Sequence, residues 1–172
     1  MPLVLTIMLG VVLAALGSAM AIATTTETMI AGAFRDGTAL FYAADAAAEF
    51  ALDELARSDW RHVLDTGDRS TFVDGTPEDS ASLEGPSGYQ VYAFGRFGDM
   101  LGRAPTAVDP YVVVWIADLT EPGGDPSSSE RIVGIRAAAF GLTAARRTIQ
   151  VTSRLSTSDE GVSVARLSWM QE

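Results

Sequence analysis

The first 26 residues carry no charged side chain, and this segment constrains the fold more than any other feature. Glu27 is the first charge in the chain. Residues 1–23, "MPLVLTIMLGVVLAALGSAMAIA", would span about 35 Å as a helix, and the hydrocarbon core of a bilayer is about 30 Å thick. A core helix of a soluble protein would show a polar face, which is missing here. We therefore expect a segment compatible with a membrane.

Three interpretations fit this segment. A cleaved secretory signal is one, because Ala19-Met20-Ala21 has the small-x-small cleavage pattern, although no basic residue precedes the apolar run. A single-span anchor is the second, and it also lacks the basic flank that normally marks the cytoplasmic end. A mature chain whose short basic leader has been removed is the third. It accounts for both the missing flank and the retained apolar helix.

Small residues recur along the apolar segment. Gly10, Ala14 and Ser18 stand four apart and share one helical face. Small side chains at this spacing let helices approach closely in lipid or in a lipid-like bundle. The alternative is a chance recurrence in an alanine-rich segment. We expect these three residues to be helix-packing positions.

After Glu27 the pattern remains helical and becomes amphipathic. Apolar residues recur every seven positions and predict a helix that continues to about residue 59. A helix over residues 3–59 would be about 85 Å long, so we expect its N-terminal half to project from the domain. The stripe expected to pack on the rest of the domain consists of Phe34, Phe41, Ala44, Ala48, Leu52 and Leu55.

Residues 60–87 are acidic and rich in turn-forming residues, which predicts a long surface loop with little regular structure. Clustered carboxylates are the oxygen ligands that calcium prefers. Their spacing matches no EF-hand loop, however, so a solvated loop is the favoured interpretation and no cofactor is expected. The calcium-ligand candidates are Asp65, Asp68, Asp74, Glu78 and Asp79.

Residues 88–172 have the two-residue period of strands. Val, Ile, Tyr and Trp alternate with polar residues, and the links are short, which favours an antiparallel meander with one polar face. We expect the helix over about residues 30–57 to cover the apolar face, giving an α+β fold. The predicted strands are residues 89–94, 111–119, 131–140, 146–155 and 162–169.

The composition argues against several functions. The chain has no cysteine and no lysine, and its net charge of -10 comes without a basic stripe, so nucleic acid is not an expected partner. His62, the only histidine, follows a helix and precedes a loop, where a surface role is the expected one. No phosphate-binding loop or nucleophile elbow is present. We expect an architectural protein rather than an enzyme.

An uncharged helix that continues into an amphipathic half packed on an antiparallel sheet resembles the type IV pilin-like proteins. The sequence "TTTETMIAGAFRDGTALFYAADAAAEFAL", residues 24–52, is similar to the N-terminal region of PilX-type minor pilins and pseudopilins. The resemblance covers about residues 1–56. It divides the chain into an apolar half-helix (1–26), an amphipathic half (27–59), an acidic loop (60–87) and a sheet domain (88–172). The residues that carry it are Glu27, Ala31-Gly32, Arg35-Asp36 and Ala43-Ala44-Asp45-Ala46-Ala47.

The resemblance implies a subunit that waits in the inner membrane and is then built by the pilus machinery into an extracellular filament. A peptidase would cut before Met1 and methylate the new amine, and copies of the chain or other pilins would be its partners. Glu27, Arg35 and Asp36 would form inter-subunit charge pairs. Major pilins carry a glutamate at mature position 5, where this chain has Leu5. This departure favours a minor, tip or initiator subunit.

A second hypothesis comes from a different class of protein. The chain would be a membrane-anchored, monomeric binding module outside the cytoplasm, and its sheet would recognise a ligand. The N-terminal residue and the state of assembly of the purified protein would distinguish the two hypotheses.

Overall fold

The computed structural model describes residues 2–71, 84–106, 108–120, 129–141, 145–158 and 161–171. The chain divides into two units, Met1–Asp36 and Gly37–Glu172. Helix α1, Pro2–Arg57, contributes its first part to one unit and its second part to the other. The architecture is α+β, as the sequence predicted, with a long N-terminal helix that packs on a five-stranded antiparallel sheet.

The first unit consists of α1 as far as Asp36, and most of it is apolar. Pro2 lies in the first described turn of α1, where a proline's missing N–H has no intrahelical partner to lose. Every described side chain up to Asp36 is exposed. Gly10 and Gly17 do not interrupt the helix, and a Cβ atom added at either would meet no other group within 4 Å.

The second part of α1 packs on the sheet mainly through alanine. Burial along the helix begins at Leu40 and follows a helical period to Leu55. Small side chains let the helix axis approach the sheet closely, which suits the flat surface of buried Val and Ile beneath it. The buried helix residues are Leu40, Ala43, Ala44, Ala47, Ala48, Ala51, Leu52 and Leu55.

The expected packing stripe is found here in part. Ala48, Leu52 and Leu55 lie in the core with the sheet, and Phe41 packs against it while half-buried. Phe34 differs, because its side chain is 76% exposed. The seven-residue spacing extended the stripe too far toward the N-terminus, since burial begins only at Leu40.

The sheet is a meander in which each strand pairs with the next along the chain. All four pairings are antiparallel. The five predicted strands are therefore confirmed, with ends that shift by a few residues. The strands are β1 (Gln90–Arg96), β2 (Tyr111–Asp118), β3 (Glu130–Phe140), β4 (Arg146–Ser158) and β5 (Gly161–Gln171).

Both faces of the sheet are apolar in its first three strands, which corrects the prediction of a polar outer face. One face packs on α1, and the second carries its own cluster around Trp115, which is 1% exposed. Gly85 lies against that ring, and a Cβ there would stand 2.5 Å from Trp115 Cδ1. The unbroken apolar run "YVVVWIA" is typical of a strand buried on both sides, a signal that outweighs the alternation seen in β4.

Two short helices were not predicted. Helix α2, Trp60–Thr66, occupies the start of the segment that was predicted to be loop, and helix α3, Phe97–Met100, follows β1. The pattern "WRHVLDTG" contains the signal for α2. Trp60, Val63 and Leu64 recur at helical spacing and pack in or against the core, and Gly67 closes the helix in the left-handed conformation at φ 75°.

Candidate functional site

The apolar part of α1 satisfies its own polar groups. Each hydroxyl in residues 2–28 donates to a backbone carbonyl three or four residues earlier, at 2.8–3.2 Å. No unpaired hydroxyl in this stretch therefore opposes transfer into an apolar medium. By length and composition this helix can cross a membrane. The residues concerned are Thr6, Ser18, Thr24, Thr25, Thr26 and Thr28.

The small-residue face keeps an open surface. Gly10, Ala14 and Ser18 are exposed, and the Ser18 hydroxyl turns back to the Ala14 carbonyl at 3.0 Å. The face therefore presents little more than backbone and short side chains to any helix that packs on it. This geometry fits close helix–helix approach, which stays a prediction.

The predicted inter-subunit charges lie beyond the apolar segment on the same helix. Glu27, Arg35 and Asp36 are all exposed, so their carboxylates and guanidinium are open to solvent or to another chain. Their pairing across subunits stays a prediction. The expected processing position, Met1, lies outside the described residues.

A groove runs between the second part of α1 and the last strand. It has a volume of about 430 Å³ and is lined by Glu49, Leu52, Asp53, Ala56, Val164 and Arg166. The floor is apolar and the charges stand at the rim. In this groove the sheet leaves part of its apolar surface uncovered, since Val164 is 41% exposed.

Strand β5 is held to α1 by two polar contacts. Arg166 forms a hydrogen-bonded ion pair with Glu49, and the Trp169 indole N–H donates to Asp45 Oδ1 at 3.2 Å. The Trp169 ring also meets Phe41 edge to face, with 5.9 Å between ring centroids. These residues are about half exposed, so the contacts are of the kind that stabilises weakly on its own.

The sequence predicts only one half of this arrangement. Asp45, Glu49 and Asp53 are four apart, so their shared helical face was readable. The strand partner was not, because a β-bulge between Thr152 and Ser153 leaves Leu167 without a direct partner in the β4 pairing. The bulge brings Trp169 to the same face as Arg166, although strict two-residue alternation separates them.

The two edges of the sheet are treated differently. At β1, the Ser70 N–H donates to the Tyr92 carbonyl at 2.8 Å, so the segment after α2 lies along that edge. At β5, the only pairing among the described strands is with β4, and nearly every residue is exposed. Among the described residues, the β1 edge therefore has a neighbouring segment and the β5 edge has none.

A polar cluster anchors the covered edge. Glu54 on α1 accepts hydrogen bonds from the Ser70 hydroxyl, from the Thr71 hydroxyl at 2.9 Å and from the Tyr92 hydroxyl at 2.9 Å. Burial raises the pKa of Tyr92, and the negative charge of Glu54 raises it further. The cluster joins α1, β1 and the segment between them, which is a structural role.

The calcium candidates are engaged elsewhere or lie outside the described residues. Asp65 pairs with Arg131 at 2.8 Å, and Asp68 lies 3.2 Å from His62 Nε2. Asp74, Glu78 and Asp79 are outside the described part of the chain. Across that part, no three His, Asp or Glu side chains gather closely enough to hold a metal ion.

The Arg131 guanidinium ties three elements together. It is buried, and it donates to Asp65 at 2.8 Å and to Asp118 at 3.0 Å, so it connects β3 with α2 and with the end of β2. These hydrogen bonds raise the pKa of Arg131. Asp65 is thus a structural partner of an arginine, which explains its place at the end of α2.

Comparison with family models, curated proteins and solved structures found no match. The architecture itself is compatible with a pilin-like fold, because a long apolar N-terminal helix leads into an antiparallel sheet.

Proposed function

We propose that this chain is a structural subunit of an extracellular type IV pilus-like filament, assembled through its apolar N-terminal helix. The observation that carries the proposal is the first part of α1. It is uncharged to Thr26, wholly exposed, and has its hydroxyls bonded to its own backbone. A surface of this kind is stable only in lipid or against other helices.

The proposal describes two successive environments for one helix. In the inner membrane, lipid covers the apolar side chains. In the filament, neighbouring helices replace the lipid at little loss of hydrophobic free energy, and close approach along Gly10, Ala14 and Ser18 adds packing contacts. The sheet unit faces outward, where it is available for adhesion. Two features favour a minor, tip or initiator subunit. They are the PilX-like sequence of residues 24–52 and Leu5, which stands where major pilins carry a glutamate.

Protein chemistry on filaments tests the proposal directly. Filaments sheared from the native cells should contain this chain, and mass spectrometry should find its N-terminus at or near Met1 with a methylated amine. A chain that begins at Thr24, or one found only as detergent-solubilised monomers, contradicts the proposal.

A matched pair of substitutions tests the packing face. Ala14→Phe places a large ring on the small-residue face, so we expect filament yield to fall severely while the sheet unit stays folded. Ala15→Phe adds the same ring about 100° around the helix and keeps the hydrophobicity needed for membrane insertion. Equal filament yields from the two variants would show that Gly10, Ala14 and Ser18 do not form a helix-packing face.

The second candidate is a membrane-anchored binding module that remains monomeric. The groove between α1 and β5 favours it, because a partly apolar, open groove is a feature of binding proteins. Under this alternative the chain is extracted only with detergent, sediments as a monomer and is missing from filaments.

A further inference from the structure

The outer edge of β5 is long, a β-bulge at Leu167 divides it, and among the described strands nothing pairs with it. The strand runs over 11 residues, about twice the length of an average strand. In the described part of the chain, β4 is its only paired neighbour. An open edge offers a row of backbone N–H and C=O groups to another strand.

Apart from the bulge at Leu167, this edge lacks the usual protections against pairing. Residues 161–171 contain no proline and no lysine, and the one charge, Arg166, points toward α1 and pairs with Glu49. Large apolar side chains remain exposed along the strand, at 41–51%. Natural sheets normally protect such edges with charge or proline, so an open apolar edge marks a binding surface. The exposed side chains are Val164, Leu167, Trp169 and Met170.

A row of carboxylates runs beside this edge at a spacing that a strand can match. Asp45, Glu49 and Asp53 are four apart on α1, which places them about 6 Å apart along the helix axis. Alternate residues of a strand are about 6.6 Å apart and point to one face. Strand β5 already uses this match twice, through Trp169 to Asp45 and Arg166 to Glu49.

The third carboxylate of the row, Asp53, has no polar partner on β5, and the groove lies beside it. Val164 stands across from Asp53, and no basic side chain of β5 reaches that carboxylate. Asp53 instead pairs with Arg57 of its own helix at 2.7 Å, and both side chains are more than half exposed. At the place where an added strand would direct its side chains, the groove therefore has an apolar floor and a rim in which Glu49 pairs with Arg166 and Asp53 with the exposed Arg57.

We propose that β5 and this groove bind an extended segment of a partner protein. The segment adds a sixth strand along the outer edge of β5, in the manner of β-augmentation. Its alternate side chains that face α1 are basic and aliphatic, so that one enters the groove between Val164 and Asp53. Backbone hydrogen bonds hold the segment, and Asp53, the one carboxylate of the row that β5 does not engage, selects for a basic residue. The binding needs no filament.

Charge argues against a second copy of this chain as the occupant. Pairing two β5 strands around a two-fold axis perpendicular to the sheet would place both α1 helices on the same face. Each copy would then bring its own row of Asp45, Glu49 and Asp53 to that one face, and like charges on one face repel. A basic partner segment gains from the same row.

A labelled peptide is the probe for this site. It has ten residues that alternate valine and arginine, and it is added to the full chain in detergent micelles, with binding followed by fluorescence anisotropy. The first control peptide carries N-methyl groups on every second residue, on the edge meant to pair with β5, so it keeps the charge and loses the hydrogen bonds. The second control replaces arginine by glutamate.

We expect the N-methylated peptide to bind about ten-fold more weakly or worse, because several backbone hydrogen bonds are lost. Asp53→Asn should weaken binding of the unmodified peptide about three-fold, the range for one exposed charge pair. Asp59→Asn removes one exposed carboxylate outside the groove and should leave affinity unchanged. Equal binding by the methylated and unmodified peptides, or equal effects of the two variants, would show attraction to net charge alone and overturn the proposal.

Hydrogen exchange provides a readout that requires no variant. Peptide binding should slow amide exchange in residues 161–171, because outward amides of β5 gain partners. Unchanged exchange there under saturating peptide refutes strand addition. Sedimentation of the chain alone tests whether a second copy occupies the edge. A dimer that competes with the peptide for β5 would show that a second copy, and not a basic partner, binds there.

Discussion

The Tyr92 hydroxyl donates a 2.9 Å hydrogen bond to Glu54 Oε2, and this bond joins the end of α1 to β1. Tyr92 is 2% exposed, so its hydroxyl has little access to water. Ser70 and Thr71 donate to the same carboxylate. One side chain of the helix therefore fixes both the edge strand and the segment that lies along it.

Replacing Glu54 with glutamine tests this anchor. Glutamine removes the charge and replaces one carboxylate oxygen with an N–H₂ group, so the bonds to Ser70 and Tyr92 lose their charge assistance and the Thr71 N–H loses its acceptor. We expect the free energy of unfolding of the sheet unit to fall by about 1.5–3 kcal/mol, the range for hydrogen bonds to charged groups. Urea unfolding followed by tryptophan fluorescence measures it. Asp59→Asn is the matched surface control, and a loss below about 0.5 kcal/mol for Glu54→Gln would show that the cluster contributes no more than ordinary surface polarity.

The raised pKa of Tyr92 predicts that the free energy of unfolding decreases at alkaline pH. Burial and the Glu54 charge raise its pKa in the folded state above the value of 10.0 for an exposed tyrosine. The stabilisation is complete below pH 10 and decreases as the pH rises further, because the unfolded state then loses a proton that the folded state retains. The slope approaches about 1.4 kcal/mol per pH unit for one group. Urea unfolding at several values between pH 9 and 11 gives this slope, and Tyr92→Phe should remove it. An equal slope in that variant would assign the alkaline loss to other groups.

The lowered pKa of Asp109 predicts a loss of stability at acidic pH instead. The Arg103 guanidinium donates to both carboxylate oxygens, at 2.5 and 3.1 Å, and the Thr106 N–H donates at 2.6 Å. Arg103 first, and then Thr106, lower the pKa of Asp109 to about 2. The carboxylate therefore stabilises the fold above its unfolded pKa of about 3.9, and this contribution disappears as the pH falls toward 2.

Carbon-13 NMR of the Asp109 carboxyl measures the titration directly. We expect a midpoint near 2 in the natural chain, and a higher midpoint in Arg103→Gln, which loses the charged donor but keeps a side chain of similar length. If the midpoint is the same in both proteins, Arg103 is not the cause of the lowered pKa.

The sequence predicted those parts of the fold that depend on one dominant, repeated signal. β-branched and aromatic residues between turn-forming clusters placed all five strands, and the uncharged run placed the apolar half of α1. The predicted stripe contains Ala44 and Ala48 but not the other buried alanines of α1, which are Ala43, Ala47 and Ala51. In the structure, burial starts at Leu40, and the helix approaches the sheet through alanines that carry a weak hydrophobic signal.

The groove could not be predicted from the sequence for a different reason. It depends on which strand lies next to the second part of α1, and on the bulge at Leu167 that brings Trp169 to the α1 side. Neither is a local property of the chain. The position of β5 at an edge, by contrast, follows from the meander that the short links predicted.

Ala47 gives the sharpest test of how the helix meets the sheet. It is fully buried among alanines at 0% exposure, so a larger side chain there has no space to occupy without moving α1 away from the sheet. We expect Ala47→Leu to lower the free energy of unfolding by about 1–3 kcal/mol through overpacking. Ala39→Leu makes the same chemical change at an exposed position of the same helix, where leucine and alanine differ little in helix propensity, and should change stability by less than about 0.5 kcal/mol. Thermal or urea unfolding of both variants measures the difference. If Ala47→Leu is as stable as Ala39→Leu, α1 does not make the close contact with the sheet that the alanine stripe implies.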